Sequence, residues 1–254
     1  MNYYFVLLNA YILSSSIFIP LRFSLTEQKD LHRFESLLLG FYSIMYGQLI
    51  IIIYDILYHK NTINIFNKIV KHFLNIEGFA LLGGYLSLLW LNNFFPESYY
   101  SSRGYISLYK LTSMLLVQDF MQYWMHRLEH KYSNIYKITH SKHHLYIHPT
   151  MYDSFSGSIG DTIFMILIPL TVTTQIIKCN LWTFIAFGTI YSNTLTLIHS
   201  REKHNWEDIF RYIGIGTSID HQIHHKYLKY NYGHVFMYWD YLFDTYKPRH
   251  KTSN

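Results

Sequence analysis

The sequence predicts an all-α integral membrane bundle of about four or more membrane helices, capped by a cytosolic helical layer that carries a histidine-rich di-metal site. Three observations predict it. Half of the 254 residues are hydrophobic and 15% are charged, against about 25% charged in a soluble domain. The apolar residues are gathered into blocks: Met1–Leu21, Ser36–Tyr54, Gly78–Phe95, Thr162–Ile177 and Leu181–Ser200 contain no Asp, Glu, Lys or Arg. A membrane span needs about 20 such residues. Third, the polar segments between blocks hold clustered histidines.

Taken in order, Phe5–Pro20 and Leu37–Tyr58 read as two membrane helices, with Pro20, Arg22 and the mixed charges up to Glu35 as the turn between them. The first block has no basic n-region and no small-residue cleavage site, so it reads as a retained anchor. Gly78–Phe95 is a third helix, closed by Pro96. Ile106–Arg127 is mostly apolar but holds Lys110, Gln118, Asp119 and Gln122. Polar groups in such a helix must face protein or water, which makes them functional candidates. Thr162–Ile177 and Leu181–His199 form a tight hairpin turning at Lys178-Cys179-Asn180. Its arms are short and Pro169 is expected to kink the first, so the hairpin is expected to fall short of a full crossing.

The clusters lie on the side reached by Arg127, Lys131, Lys137, Lys142, Arg201, Lys203, Arg211, Lys226 and Lys229, whereas the opposite Pro96–Tyr105 loop has only Arg103. The positive-inside bias then puts the histidines in the cytosol. The formal charge of +5 suits loops against an anionic leaflet, and no basic run is dense enough for nucleic acid. The lone Cys179 excludes an intramolecular disulfide and cysteine-based metal sites.

The histidines supply the chemistry. His126-x3-His130 is followed by His140-x2-His143-His144, and H-x2-H-H returns at His221, His224 and His225. Imidazole is the commonest side-chain ligand for transition metals. His126 and His130, four apart, share a helix face. His140, His143 and His144 converge if their segment is helical, and His221, His224 and His225 repeat that geometry. His199, at the end of the hairpin, is a plausible ninth ligand. So many imidazoles exceed one four-coordinate ion and suit two ions with open positions. That arrangement favours redox-active iron and O2 over a closed zinc site, although imidazole suits both metals. Asp119 is a candidate carboxylate for orienting a ligand histidine. His204 divides evenly between ligand and structural roles. His148, His234, His32, His59, His72 and His250 stand alone and read as structural.

Other chemistries lack their residues. There is no H-E-x-x-H, no E-x-x-H pair, no P-loop and no G-x-S-x-G, and Gly214-x-Gly216 lacks the third glycine of a dinucleotide fingerprint. A zinc transporter would place ligands mid-membrane on several helices, and bis-histidine haem ligation suits x2-H-H doublets poorly.

These motifs resemble the fatty acid hydroxylase / sterol desaturase superfamily. The run Asp119-x3-Tyr123-Trp124-x-His126-Arg127-x2-His130, then Tyr136 and His140-x2-His143-His144, carries the resemblance. Leu145-Tyr146-x2-Pro149-Thr150-x-Tyr152 is similar to the sterol C5-desaturase branch. His221-x2-His224-His225, Asn231-Tyr232-Gly233 and Trp239-Asp240-x-Leu242-Phe243-x-Thr245 resemble the family's closing motif. The resemblance spans about Leu111 to Tyr246. It implies residues 1–105 as N-terminal membrane helices and 106–254 as a hydroxylase-like catalytic region, in one structural unit. It implies two iron ions, with zinc as a possible substitute, held by His126, His130, His140, His143, His144, His199, His221, His224 and His225. Asn231 and Asp240 join Asp119 as residues supporting the ligands. It further implies O2-dependent hydroxylation or desaturation of a sterol, fatty acyl or sphingoid lipid in the endoplasmic reticulum. Electrons would come in trans from cytochrome b5 and an NAD(P)H-dependent reductase. Three departures stand out: Gln222 where many members have aspartate, Asp244 where glycine is usual, and no histidine in Asp153–Asp161.

Overall fold

The computed structural model describes residues 14–27, 29–59 and 63–248. Among these residues it is helical with no strand, only an isolated bridge between Ile215 and Phe236. The longer helices are α1 (Phe18–Thr26), α2 (Arg33–His59), α3 (Ile65–Leu74), α4 (Phe79–Leu91), α5 (Leu108–Lys131), α7 (Ile159–Ile176), α8 (Leu181–Ile198) and α10 (Ser218–Tyr227). Short helices α6 (Ser133–Ile138), α9 (Glu207–Tyr212) and α11 (Tyr238–Leu242) lie between and after them.

Among the described residues, four segments are long and apolar enough to cross a membrane: Arg33–Leu57, Ile65–Leu91 (α3 and α4 together), Ile159–Ile176 and Leu181–Ile198. Both arms of the hairpin qualify, contrary to the expectation that they fall short. The arm with Pro169 also behaves differently from a simple kink. It opens into a π-helical stretch, Ile163–Leu167, just before the proline. The wider turn accommodates the ring and its missing N–H.

The N-terminal expectation needs correction too. Most of Phe5–Pro20 lies outside the described residues. Pro20 does not begin a turn but sits in the first turn of α1, where a backbone N–H has no helical partner to lose.

Helix α8 is the most buried of the four spans, and α2 packs along it. The two backbones approach closely at Gly47, where an added Cβ would stand 2.8 Å from Thr189 Cγ2. Their polar side chains pair across the contact. Ser43 Oγ meets Thr189 Oγ1 at 3.1 Å, and Gln48 Nε2 donates to Asn193 Oδ1 at 3.0 Å. Such pairing satisfies polar groups that lipid cannot. An apolar cavity lies between α2, α4, α7 and α8, walled by Leu37, Phe41, Leu82, Leu86, Leu170, Ile185 and Phe187. Leu195 and Phe155 also line it.

Candidate metal centre

Four elements deliver the nine histidines. On α5, His126 and His130 continue the face that carries Gln122 and Gln118 one and two turns earlier. His140 follows α6, and His143 and His144 sit on a 3₁₀ turn, His143–Leu145. His199 caps the end of α8. His221, His224 and His225 lie on α10, whose N-terminus is capped by Thr217 accepting from the Asp220 N–H. Each of the nine is among the buried residues except His130, which is partly buried.

The rings form two sets. His126, His130, His140, His144 and His224 converge in one, and His143, His199, His221 and His225 in the other. The H-x2-H-H triads therefore do not each converge on one ion. His143 and His144 part company, as do His224 and His225. Neighbours in a helical turn point about 100° apart, so an adjacent pair is suited to bridging two sites rather than sharing one.

The hydrogen-bond partners of the rings fix their tautomers. His126 Nδ1 lies 2.9 Å from the Tyr232 carbonyl, His143 Nδ1 2.9 Å from that of Ser156, His199 Nδ1 2.6 Å from that of Leu195 and His224 Nδ1 2.8 Å from that of Tyr230. A carbonyl only accepts, so each Nδ1 carries the proton and each Nε2 presents a lone pair. His140 Nδ1 likewise donates to Asp161 Oδ1 at 2.7 Å. Yet His126 Nε2 faces His140 Nε2 at 2.9 Å, and His199 Nε2 faces His143 Nε2 at 3.2 Å. Lone pairs that close repel unless a cation lies between them. Protonation is no escape: burial holds His143 below the ordinary imidazole range, and burial with the neighbouring imidazoles does the same to His140.

The spacing also fits coordination. Metal–nitrogen bonds of about 2.0–2.1 Å put adjacent ligand nitrogens about 2.9–3.4 Å apart at octahedral or tetrahedral angles. The remaining contacts are 3.1 Å for His144–His130, 3.2 Å for His224–His144, 3.0 Å for His221–His199 and 3.1 Å for His225–His221.

Over this geometry, the family model described as fatty acid hydroxylase matches residues 111–245, just over half the chain. The chain belongs to the fatty acid hydroxylase family. It is 46% identical over 181 residues to the alternative squalene epoxidase of Phaeodactylum tricornutum, covering 70% of this chain and 52% of that protein. It is 30% identical over 175 residues to a probable Delta(7)-sterol 5(6)-desaturase of Neurospora crassa, covering 60% and 46%. The Delta(7)-sterol-C5(6)-desaturase of Nicotiana tabacum is 27% identical over 145 residues, covering 52% and 47%. The chain thus spans about half the length of these curated relatives. No solved structure matches it.

The residues expected to support the ligands in this hydroxylase-family chain lie at one remove from the two histidine sets. Asp119 hydrogen-bonds to no imidazole of either set. Its carboxylate accepts from the backbone N–H groups of His234, Val235 and Phe236 and from Trp239 Nε1. Asp240 accepts from the Tyr232 and Gly233 N–H groups and from Thr245 Oγ1. Burial pushes the Asp240 carboxyl up to about 6. Asn231 Nδ2 donates to the carbonyls of Asp220 and Lys247. Together they fix the 230–236 loop, whose Tyr230 and Tyr232 carbonyls hold His224 and His126.

Two of the three departures have direct explanations. Asp244 has φ 54°, the left-handed conformation glycine adopts freely and aspartate tolerates. Gln222 Nε2 donates to the Ser200 and Arg201 carbonyls, tying α10 to the segment beyond His199. Sequence reasoning missed Asp161 and Glu129 behind His140, and did not place His234, which it read as structural, beside the two sets. That ring is buried against His126 and His221, at centroid distances of 5.0 and 5.2 Å, and burial lowers it to about 3. His204 lies outside both sets, its Nδ1 2.9 Å from Tyr54 Oη and its ring stacked on Trp206. His72 is packed in the core, with Nε2 3.1 Å from Gln48 Oε1.

Proposed function

We propose that this chain is a membrane-bound, O2-dependent oxygenase that uses two histidine-held irons to insert oxygen into a lipid hydrocarbon, with an alkene of the squalene class as its substrate. The paired lone pairs at 2.9 and 3.2 Å carry the metal part of the reading. Iron bound there would supply O2 activation, with electrons delivered in trans from cytochrome b5 and its reductase. The five-histidine and four-histidine sets would hold one ion each.

The cavity supports the substrate class. Its lining includes Leu195, whose carbonyl anchors His199, and Phe155, which precedes Ser156, whose carbonyl anchors His143. A chain lying in the cavity would approach the four-histidine set. The walls are almost wholly hydrocarbon. The Gln118 and Tyr191 polar groups there are engaged with each other and with Thr173 and Gln122. That surface suits a headless hydrocarbon, and the 46% identity to a squalene epoxidase points the same way. Residence in the endoplasmic reticulum with the histidines facing the cytosol completes the proposal.

A second reading, C5(6) desaturation of a Delta(7)-sterol, is favoured by the Leu145–Tyr152 motif and the sterol desaturase relatives. One experiment separates them: membranes containing the protein, a cytochrome b5 reductase system and NADPH, given squalene or a Delta(7)-sterol under air. The proposal expects a squalene product one oxygen atom heavier. A sterol product two hydrogens lighter, with squalene untouched, establishes the second reading. No oxidised product from any lipid in the membrane contradicts both.

A further inference from the structure

The two histidine sets are not backed alike. Four ligand rings rest their Nδ1 on neutral backbone carbonyls. His140 is the one described ligand whose Nδ1 rests on a carboxylate, Asp161 Oδ1 at 2.7 Å. A second carboxylate stands behind the same nitrogen, with Glu129 Oε2 at 3.7 Å. Glu129 is 1% exposed and makes no hydrogen bond of good geometry among the described residues. An ionised acceptor makes a stronger hydrogen bond than a carbonyl and raises the donor strength of the opposite ring nitrogen.

The local chain is built to hold this contact. Ser158 caps the N-terminus of α7, accepting from the Asp161 N–H at 3.0 Å and donating to the Thr139 carbonyl at 2.6 Å. The helix bearing Asp161 is thereby clamped to the residue before His140. Gly157 leaves the room the carboxylate occupies, since a Cβ there would lie 2.2 Å from Asp161 Oδ2.

We propose that Asp161, backed by Glu129, is a positioning residue that acts through His140 to make the five-histidine set the tighter and electronically distinct one of the two metal sites. This rests on the metal reading above. It accounts for the buried Glu129 carboxyl and the part-buried Asp161 carboxyl, which face the same His140 nitrogen and have no other side-chain hydrogen bond among the described residues.

The test uses the full chain purified in detergent and loaded with ⁵⁷Fe(II) without oxygen. Metal per chain is measured against rising chelator, and Mössbauer spectra are recorded. The wild type should hold two ions and show two iron environments. Asp161→Asn should weaken one ion by about 10–100-fold, shift one of the two iron signals, and leave the other ion as in the wild type. Gly157→Ala should do the same while keeping the aspartate, so it carries the test if Asp161→Asn fails to fold. Equal loss of both ions, or wild-type retention of both, in folded variants overturns the inference and spares the metal reading. A third ion that disappears in Glu129→Gln also overturns it, in favour of a separate carboxylate-bound cation. A folded wild type that binds no metal overturns the metal reading and this inference with it.

Discussion

Replacing Asp119 by alanine removes one small side chain from the buried face of α5, yet it should disable the metal centre. Asp119 is fully buried. It accepts from four donors: the N–H groups of His234, Val235 and Phe236 at 3.2, 2.8 and 2.9 Å, and Trp239 Nε1 at 3.0 Å. A buried donor left without an acceptor costs about 1–3 kcal/mol. Even at the lower figure, four donors amount to about 4 kcal/mol. In a chain of this size that corresponds to an apparent melting temperature lower by about 8 °C or more. The loop that loses its anchor is the one whose Tyr232 and Tyr230 carbonyls hold His126 and His224. Metal should therefore leave the five-histidine set first. Asp119→Asn keeps one accepting oxygen but turns an NH₂ toward the donors, so it should fall between alanine and wild type. The assay is detergent thermal unfolding followed by tryptophan fluorescence, with metal per chain measured on the same sample. An alanine variant that melts within about 2 °C of wild type and keeps all its metal would refute the claim that Asp119 supports the ligands through this loop.

Other expectations are simpler to state. Gly188 lines the cavity, and a Cβ there would already contact Ile44 Cδ1 at 3.5 Å. Gly188→Leu should cut turnover of a bulky lipid at least tenfold while metal content stays unchanged; loss of metal instead would show that the residue serves the fold. Gly84 has nothing within 4 Å of a built Cβ, so Gly84→Ala should leave melting and activity as they are. Acid should destabilise the protein through its buried imidazoles. His234 binds its proton at about 3 when folded, against an ordinary 6.5. The unfolded chain then takes up more protons below pH 6.5, so stability is full above that pH and falls progressively toward pH 3. Melting temperatures measured from pH 8 to pH 5 should be flat and then decline, and His234→Gln should soften the decline.

Much of this architecture was legible because hydropathy and helical spacing are local properties. The blocks at Ser36–Tyr54 and Leu181–Ser200 became α2 and α8, and the hairpin turned at Lys178–Asn180 as its composition suggests. What failed depended on position within an element or on contacts distant in sequence. Pro20 reads as a breaker until its place in a first turn is known. The division of His143 from His144 follows from ring direction, which spacing alone underdetermines. Asp161 is 21 residues from His140, and no motif links them. Asp119 was read as a carboxylate orienting a ligand histidine; it is buried, but its partners, 115–120 residues away, are three loop amides and the Trp239 indole rather than an imidazole. The left-handed φ at Asp244 explains a departure that the sequence could only register.

The central claim is that nine histidines hold two ions in separate sets. Elemental analysis of the detergent-purified chain, alongside His143→Ala and His224→Ala, tests it most directly. The account predicts two metal ions per wild-type chain. His224→Ala should lose the ion of the five-histidine set and His143→Ala that of the four-histidine set, about one ion each. A folded wild type without metal, or variants that retain both ions, would contradict it.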